Sequence, residues 1–150
     1  MKIRGMSSDD IPEVAAIERA TFSEPWSGKG FADSLALEYN LFLVAQAPDG
    51  SIAGYCGLYL AVDEAEITNV AVRETDRQRG IGDALLAALL REAEQRGTRR
   101  IYLEVRVSND AAIRLYKKHG FAPYGIRRGF YRWPDEDALV MRRVSGDDKA

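Results

Sequence analysis

The chain contains 150 residues, a length typical of one domain, and its 46% hydrophobic and 29% charged residues are typical of a soluble globular protein. Its net charge of −2 argues against binding to nucleic acid through overall charge, and its one cysteine, Cys56, excludes an intrachain disulfide or a thiolate metal site. We expect a cytoplasmic protein without a metal, because the amino-terminal residues do not resemble a signal peptide and no apolar run approaches the roughly 20 residues of a membrane span.

The first third of the chain predicts one short strand and two helices. Residues 2–6 favour a strand, and Ser8-Asp9-Asp10 supplies N-cap candidates for a helix from Ile11, whose apolar residues recur at helical spacing. Residues 22–27 form a loop with two large aromatic side chains, and residues 30–39 favour a second, weaker helix. The residues of this second helix that we expect to face inward are Phe31, Leu35 and Leu37.

The middle of the chain predicts a hairpin, a further strand and a long helix. Residues 41–47 and 52–61 favour strands joined by the turn at 48–51, and residues 64–72 favour the next strand. Residues 82–96 favour a helix with a wide apolar stripe. That stripe consists of Leu85, Leu86, Leu89, Leu90 and Ala93.

The last third predicts a strand, a helix and two final strands. The strand covers residues 100–105, the helix begins after Ser108 or Asn109 and ends near His119, and the final strands cover 121–131 and 138–144. This alternation of elements favours a single α/β or α+β domain with a mixed sheet. The small, charged residues that follow are expected to be frayed.

The most informative segment is Arg77–Gly82, which lies between the predicted strand 64–72 and the long helix. A glycine-spaced turn there exposes backbone N–H groups at the positive end of a helix, which is a ready site for a phosphate group. The alternative is an ordinary tight turn. The nearby arginines, Arg73 among them, either attract an anionic ligand or form a solvated face.

A second segment carries the pattern Asn-x-x-Ala-x-x-Leu-Tyr from Asn109 to Tyr116, followed by Gly120-Phe121. With the Gln/Arg-x-x-Gly-x-Gly/Ala pattern of the first turn, it resembles the GNAT superfamily of acyl-CoA-dependent N-acetyltransferases. Over nearly its whole length the chain is similar to the RimI-type ribosomal-protein-alanine N-acetyltransferases. The most specific matches are Pro25-Trp26-Ser27, Asn69-Val70-Ala71-Val72, Leu103-Glu104-Val105-Arg106, Ile126-Arg127-Arg128 and Phe130-Tyr131.

The resemblance implies a fold as well as an activity. It implies one GNAT domain over residues 1–145, with a mixed, mostly antiparallel sheet of about six or seven strands flanked by about four helices. Residues 146–150 are then expected to be a short flexible tail.

The resemblance also implies a pair of catalytic residues. Glu104 is the implied general base, directly or through a water, and Tyr116 is the implied donor of a proton to the departing CoA thiolate. A base is needed because an N-terminal ammonium has a pKa of about 7.7–8.0 and is mostly protonated at pH 7. From the residues alone, an exposed strand glutamate and a core tyrosine are the alternatives.

Acetyl-CoA is the co-substrate that the resemblance implies. Its acetyl and pantetheine groups are expected along a strand, its pyrophosphate at the glycine turn, and its pantetheine arm near Asn109, for which a plain N-cap is the alternative. The expected cofactor-binding residues are Val70, Ala71, Val72, Arg77, Gln78, Arg79, Gly80, Ile81, Gly82, Asp83 and Asn109.

The implied acceptor is the N-terminal α-amine of a protein, in the best-known case an alanine-starting small-subunit ribosomal protein, bound by a monomer or weak dimer. Trp26 and Tyr131 are expected to contact its first residues. The alternatives are a lysine side chain, a small amine, or a non-catalytic acyl-CoA sensor on the same fold. We interpret His119 and Cys56 as structural and residues 135–137 as a solvated turn.

Overall fold

One mixed sheet dominates residues 1–145, which are the residues that the computed structural model describes. Its strand order is β1-β2-β3-β4-β5-β7-β6, and every neighbouring pair is antiparallel except β4 and β5. This confirms the mixed, mostly antiparallel sheet expected from the sequence, whereas the expected tail at 146–150 lies outside the described residues. The strands are β1 Lys2–Gly5, β2 Asn40–Gln46, β3 Ile52–Ala61, β4 Glu64–Val72, β5 Arg100–Arg106, β6 Ala122–Tyr131 and β7 Glu136–Val144.

Four α-helices flank this sheet within the same residues, as expected. None of the helices in the described part of the chain is both long and apolar enough to span a membrane. Short 3₁₀ turns at Ser8–Asp10 and Glu74–Asp76 precede the first and third helices. The helices are α1 Ile11–Thr21, α2 Gly28–Leu35, α3 Ile81–Gln95 and α4 Asp110–Lys118.

Helix α2 corrects the prediction for residues 30–39. It begins two residues earlier, at Gly28, because the Ser27 hydroxyl accepts a hydrogen bond from the Gly30 backbone N–H at 3.1 Å and caps the helix. It ends at Leu35, and the Leu37 N–H bonds to the Ser34 carbonyl in the turn that follows. Leu37 is exposed, so the prediction that it faces inward was wrong.

The two faces of the sheet are covered by different helices. The apolar stripe of α3 lies on one face, and its five predicted residues are buried there with the inward side chains of β5. Helices α1 and α2 cover part of the other face, where Phe31 and Tyr55 lie in a second core cluster. Each side chain of this size stabilises the fold by roughly 1.5–3 kcal/mol when it is buried.

The parallel pair β4–β5 opens into a fork. The two strands pair only from Glu64 to Glu66 on β4 and from Arg100 to Tyr102 on β5. Beyond that point β4 has an irregular register with β3, which leaves Thr68 as an extra residue, and then continues to pair with β3 alone. The β5-facing edge of β4 is therefore open over Val70–Val72, where the two strands have diverged.

Candidate active site

The open edge of β4 presents backbone hydrogen-bonding groups to the fork. The Arg73 N–H donates to the Ala53 carbonyl of β3 at 2.7 Å. Because successive residues of a strand point their N–H and C=O groups to opposite edges, those of Val70 and Val72 point into the fork and those of Ala71 toward β3. The Val72 carbonyl accepts a hydrogen bond from Arg77 Nε at 3.1 Å. An extended ligand can bind this edge as an added strand.

The glycine turn lies at the open end of the same edge. Gln78 and Gly80 have left-handed backbone conformations, with φ of 63° and 78°, and Gly80 is the N-cap of α3. The first helical hydrogen bond runs from the Ala84 N–H to the Gly80 carbonyl. The N–H groups of residues 81–83 therefore precede the helical ladder and remain available at the positive end of the helix, as an anion site requires.

The arginines beside this turn have different surroundings. Arg73 Nε forms an ion pair with the buried Asp76 at 2.6 Å, and this contact holds the pKa of Asp76 below its usual range. Arg79 is mostly exposed and lies 3.4 Å from the other Asp76 oxygen. Arg73 thus has a structural partner, whereas Arg77 and Arg79 are exposed at the turn, where an anionic ligand can reach them.

The side chain of Asp83 ties α3 to α4. Its Oδ1 lies 3.0 Å from His119 Nε2 and 3.1 Å from Lys118 Nζ, and these contacts, His119 first, lower the pKa of Asp83. Any contact from Asp83 to a bound phosphate is therefore expected from its backbone N–H. His119 has the structural contact that the sequence indicated.

Helix α4 carries Asn109 and Tyr116 on the other side of the fork. Asn109 Oδ1 accepts a hydrogen bond from the Ala112 N–H at 3.2 Å, so the N-cap interpretation is confirmed. Tyr116 is buried, its ring meets Phe121 edge-on at 5.8 Å, and burial raises its pKa above the usual value. Within residues 1–145 its hydroxyl has no hydrogen-bond partner, which leaves the proton available to a ligand.

Glu104 lies on β5 on the opposite face from the buried Leu103 and Val105, as the strand alternation predicts. Its Oε1 accepts a hydrogen bond from Arg127 Nη1 on β6 at 2.8 Å, and its side chain is only 14% exposed. Glu66 on β4 lies on the same face of the sheet, paired with Tyr102, the residue two before Glu104. Desolvation and the like-charged Glu104 raise the pKa of Glu66 to about 7, although Arg127 opposes this rise.

These two carboxyl groups line an open cavity of about 360 Å³. The cavity lies on the same sheet face as α1 and α2, in the part that these helices do not cover. Two tyrosines, Tyr59 and Tyr102, form its aromatic walls. The other lining residues are Ala61, Glu64, Ala65, Glu66, Glu104, Arg127 and Val140. Among residues 1–145, no group of three or more His, Cys, Asp or Glu side chains is arranged to hold a metal ion.

The predicted acceptor residues lie at the edge of this region. Trp26 is half-buried and its ring packs 5.2 Å from that of Phe31, while its backbone N–H donates to the buried Glu18 at 2.9 Å. Tyr131, also half-buried, lies under the guanidinium of Arg106 at 4.6 Å. Desolvation and the charge of Glu104 raise the pKa of Tyr131 to about 12.

Arg106, which lies in the matching segment 103–106, connects several loops, a role that the sequence did not predict. Its guanidinium donates to the Ser23 hydroxyl and the Arg132 carbonyl at 3.0 and 2.9 Å, and to the Pro134 carbonyl at 2.8 Å. It also forms an ion pair with Glu136 at 3.1 Å. Arg106 therefore joins the loop between α1 and α2 to the turn between β6 and β7. A strand-end arginine is the only sequence signal for this role.

The resemblance implied a cofactor strand, a phosphate-binding glycine turn and a catalytic carboxylate; the structure adds the fork between β4 and β5, which the sequence did not predict. The model of the acetyltransferase (GNAT) family matches residues 11–121, which is more than half of the chain. The chain belongs to the GNAT family. Its members use acetyl-CoA as the co-substrate from which they transfer an acetyl group.

Several GNAT proteins are similar over most of their length. A protein of Escherichia coli K12 named ribosomal protein bS18-alanine N-acetyltransferase is 38% identical over 93% of this chain and 94% of its own length. A Mycobacterium tuberculosis protein named N-alpha-acetyltransferase RimI is 37% identical over 97% and 93%. The crystal structure of the E. coli ribosomal-protein-S18-alanine N-acetyltransferase superposes with a TM-score of 0.87 at 34% identity, over 99% of this chain and 98% of that one.

Proposed function

We propose that this protein transfers the acetyl group of acetyl-CoA to the N-terminal α-amine of a protein, with an alanine-starting ribosomal protein of the bS18 type as its acceptor. The similarity to relatives with that named activity extends over more than nine-tenths of the chain and supports this acceptor. The observation that carries the proposal is the fork, because an open strand edge and the Glu104 carboxylate lie on its two arms.

We propose that acetyl-CoA binds along the β4 arm. The Val70 and Val72 backbone groups then hydrogen-bond the thioester carbonyl and the pantetheine amides, and a Val72 or Val70 N–H stabilises the thioester oxygen as negative charge develops on it. The backbone N–H groups from Gln78 to Asp83 hold the pyrophosphate, assisted by the exposed Arg77 and Arg79. The Asn109 side-chain amide, whose oxygen caps α4, still has its N–H donors to offer the pantetheine arm.

The reaction moves protons at both ends of the transferred group. Glu104 takes a proton from the acceptor ammonium, directly or through a water, and leaves a neutral amine. The amine nitrogen attacks the thioester carbon, the C–S bond breaks, and Tyr116 donates its hydroxyl proton to the CoA thiolate. The nitrogen loses its second proton as the intermediate collapses, and that proton returns the Tyr116 phenolate to the phenol. Burial keeps the Tyr116 phenol protonated up to high pH, so the donor is loaded throughout the physiological range.

The acceptor N-terminus is proposed to enter between the loop that carries Trp26 and the turn that follows Tyr131. Arg106 joins these two segments through Ser23 and the Arg132 carbonyl, so the walls of the entrance are held at a fixed separation. Trp26 and Tyr131 contact the first residues of the acceptor. We place the enzyme in the cytoplasm, where it acts as a monomer or weak dimer without nucleic acid or membrane contacts.

The acceptor class is tested with acetyl-CoA, two peptides and mass spectrometry. One peptide has a free N-terminal alanine and no lysine, and the other has a blocked N-terminus and an internal lysine. We expect acetylation of the first peptide only. Acetylation of the second only would move the function to lysine side chains, and acetylation of neither by a protein that binds acetyl-CoA would point to a small amine or to a sensor.

A further inference from the structure

Two carboxyl groups from different strands meet where the fork opens. Glu66 occupies the last paired position of β4, opposite Tyr102, and Glu104 is two residues further along β5, so both side chains lie on the same face of the sheet. Both line the same cavity, and Glu104 contributes, after desolvation, to the raised pKa of Glu66. Two carboxyl groups form a hydrogen bond with each other only when one of them holds a proton.

The charges around this pair favour one shared proton. Within the described chain, Arg127 on β6 is the cation that lines the cavity with the two carboxyl groups; it donates to Glu104 and is itself 56% exposed. Two further cations of this face have other partners: Arg106 pairs with Glu136, and Arg142 lies over the Tyr124 ring. From β3 and β5 the neighbours are the phenols Tyr59 and Tyr102, and from β7 the apolar Val140. Glu64, the next acid along β4, is paired with Arg100 at 3.4 Å. One cation faces two acids, so the pair retains a proton to a higher pH than an isolated carboxyl group.

We propose that Glu66 and Glu104 act as one proton-sharing pair, in which Glu66 is a positioning residue that raises the basicity of the group receiving the acceptor's proton. The inference rests on the proposed function, which assigns Glu104 as the base. In the working form both groups are ionised, the acceptor ammonium gives one proton to Glu104, and the hydrogen bond to Glu66 stabilises the protonated pair. The proton leaves to solvent once the acetylated product departs, so the pair returns to its ionised form and each turnover releases one proton.

Such a pair brings the pKa of the base close to the pKa of the acceptor ammonium. The first proton binds to the pair near pH 7, as the raised pKa of Glu66 indicates, whereas the acceptor ammonium has a pKa of about 7.7–8.0. Transfer between two groups of such similar basicity is only slightly uphill, and general bases work best when their pKa lies near the operating pH. A lone carboxyl group with an ordinary pKa of about 4.3 makes the same transfer far more unfavourable.

The test compares Glu66→Gln with Glu64→Gln, which removes the same charge from the same strand and cavity but leaves the pair intact. The pH dependence of kcat is measured for each enzyme at saturating acetyl-CoA and alanine peptide. For Glu66→Gln we expect the acid limb of the kcat–pH profile to move to lower pH by at least about one unit. We expect the plateau value of kcat to fall about threefold to tenfold. For Glu64→Gln we expect the acid limb of the kcat–pH profile to stay where it is in the wild type. Because the acceptor is the same throughout, a difference between the limbs belongs to the enzyme.

A second measurement does not depend on activity. Carbon-13 NMR of glutamate carboxyl groups is followed through a pH titration, and we expect a coupled step near pH 7 in the wild type and in Glu64→Gln that is lost in both Glu66→Gln and Glu104→Gln. Glu66→Asp, which keeps the acid, is expected to restore part of the wild-type acid limb. Thermal unfolding midpoints verify that each variant is folded.

The outcomes separate this inference from the proposed function. A titration step near pH 7 that survives in Glu66→Gln overturns the pair, whatever the enzyme acetylates. A pair seen by NMR whose loss leaves the kcat profile unchanged overturns the role of Glu66 and leaves α-amine acetylation standing. Loss of the proposed function itself is seen differently, as an absence of alanine-peptide acetylation by the wild type, and the NMR titration then still decides whether the pair exists.

Discussion

The two arms of the fork differ in the kind of atoms that they offer. The β4 arm and the glycine turn present backbone N–H and C=O groups, whose positions follow from strand pairing and from the N-terminus of α3. The β5 arm presents side chains, with Glu104 held by Arg127 from the exposed strand β6. A backbone site depends on conformation and tolerates many side chains, whereas a site built from side chains depends on each residue. Substitutions are therefore expected to act differently on the two arms.

The largest expected effect belongs to the side-chain arm. Glu104→Gln keeps the size of the side chain but removes the proposed base, so we expect kcat with an alanine peptide to fall about 10²-fold or more at pH 7. The loss is expected to shrink toward pH 9, where the acceptor amine is neutral without help. Steady-state kinetics from pH 6 to 9 give the result, with Glu64→Gln as the charge-matched control. Equal rates for Glu104→Gln and the wild type at all pH values would remove Glu104 as the base.

Tyr116→Phe tests the leaving-group end of the same reaction. The hydroxyl is the only group removed, and it has no partner within residues 1–145, so we expect an unchanged unfolding midpoint and an unchanged acceptor KM. We expect kcat to fall at least about tenfold, since general acid catalysis commonly contributes more than that. Tyr124→Phe, which removes a hydroxyl from an exposed tyrosine on β6, is the control. Full turnover by Tyr116→Phe would contradict the assignment of the acid.

The backbone arm is tested by Gly80→Ala. At φ of 78° an added Cβ meets nothing within 4 Å, so the penalty is one of backbone conformation, about 1–2 kcal/mol. If the turn relaxes to relieve this strain, acetyl-CoA binding must restore it, and we expect the Kd from calorimetry to rise about 5- to 30-fold. Gly97→Ala imposes the same strain at φ of 87°, just beyond the far end of α3, and is expected to lower stability but not affinity. If both variants bind acetyl-CoA with the same Kd, the glycine turn does not form the phosphate site.

The backbone arm was also the arm that the sequence predicted more fully. Strand 64–72, the glycine turn and the long helix are local patterns, and local hydrophobic periodicity and glycine spacing are enough to predict them. The stripe of α3 and the cap at Asn109 were found for the same reason. The error at Leu37 arose from an apolar residue just beyond a helix end, where periodicity continues but the backbone does not.

The side-chain arm was predicted only in part, because its contacts join residues that are distant in the chain. Glu66 and Glu104 meet only because β4 and β5 are neighbours at the base of the fork, with all of α3 between them in sequence. Arg127 reaches Glu104 from a strand that is not its neighbour in the sheet. Arg106 binds two loops whose conformations no local pattern encodes. Pairing and register, rather than residue type, determine these contacts.

The smallest expected effect comes from Arg127→Gln, and its sign tests the electrostatics of the side-chain arm. Arg127 favours the ionised carboxyl pair, so its removal is expected to make the pair hold its proton more strongly and to move the acid limb of kcat to higher pH. The shift is expected to be about 0.3–0.7 unit, because Arg127 is more than half exposed and solvent weakens the ion pair. Arg128→Gln, on the neighbouring residue of β6, removes the same charge from the opposite side of the strand and is expected to leave the limb in place. A limb that stays in place or moves to lower pH in Arg127→Gln would contradict the role of Arg127 as the cation that favours the ionised pair.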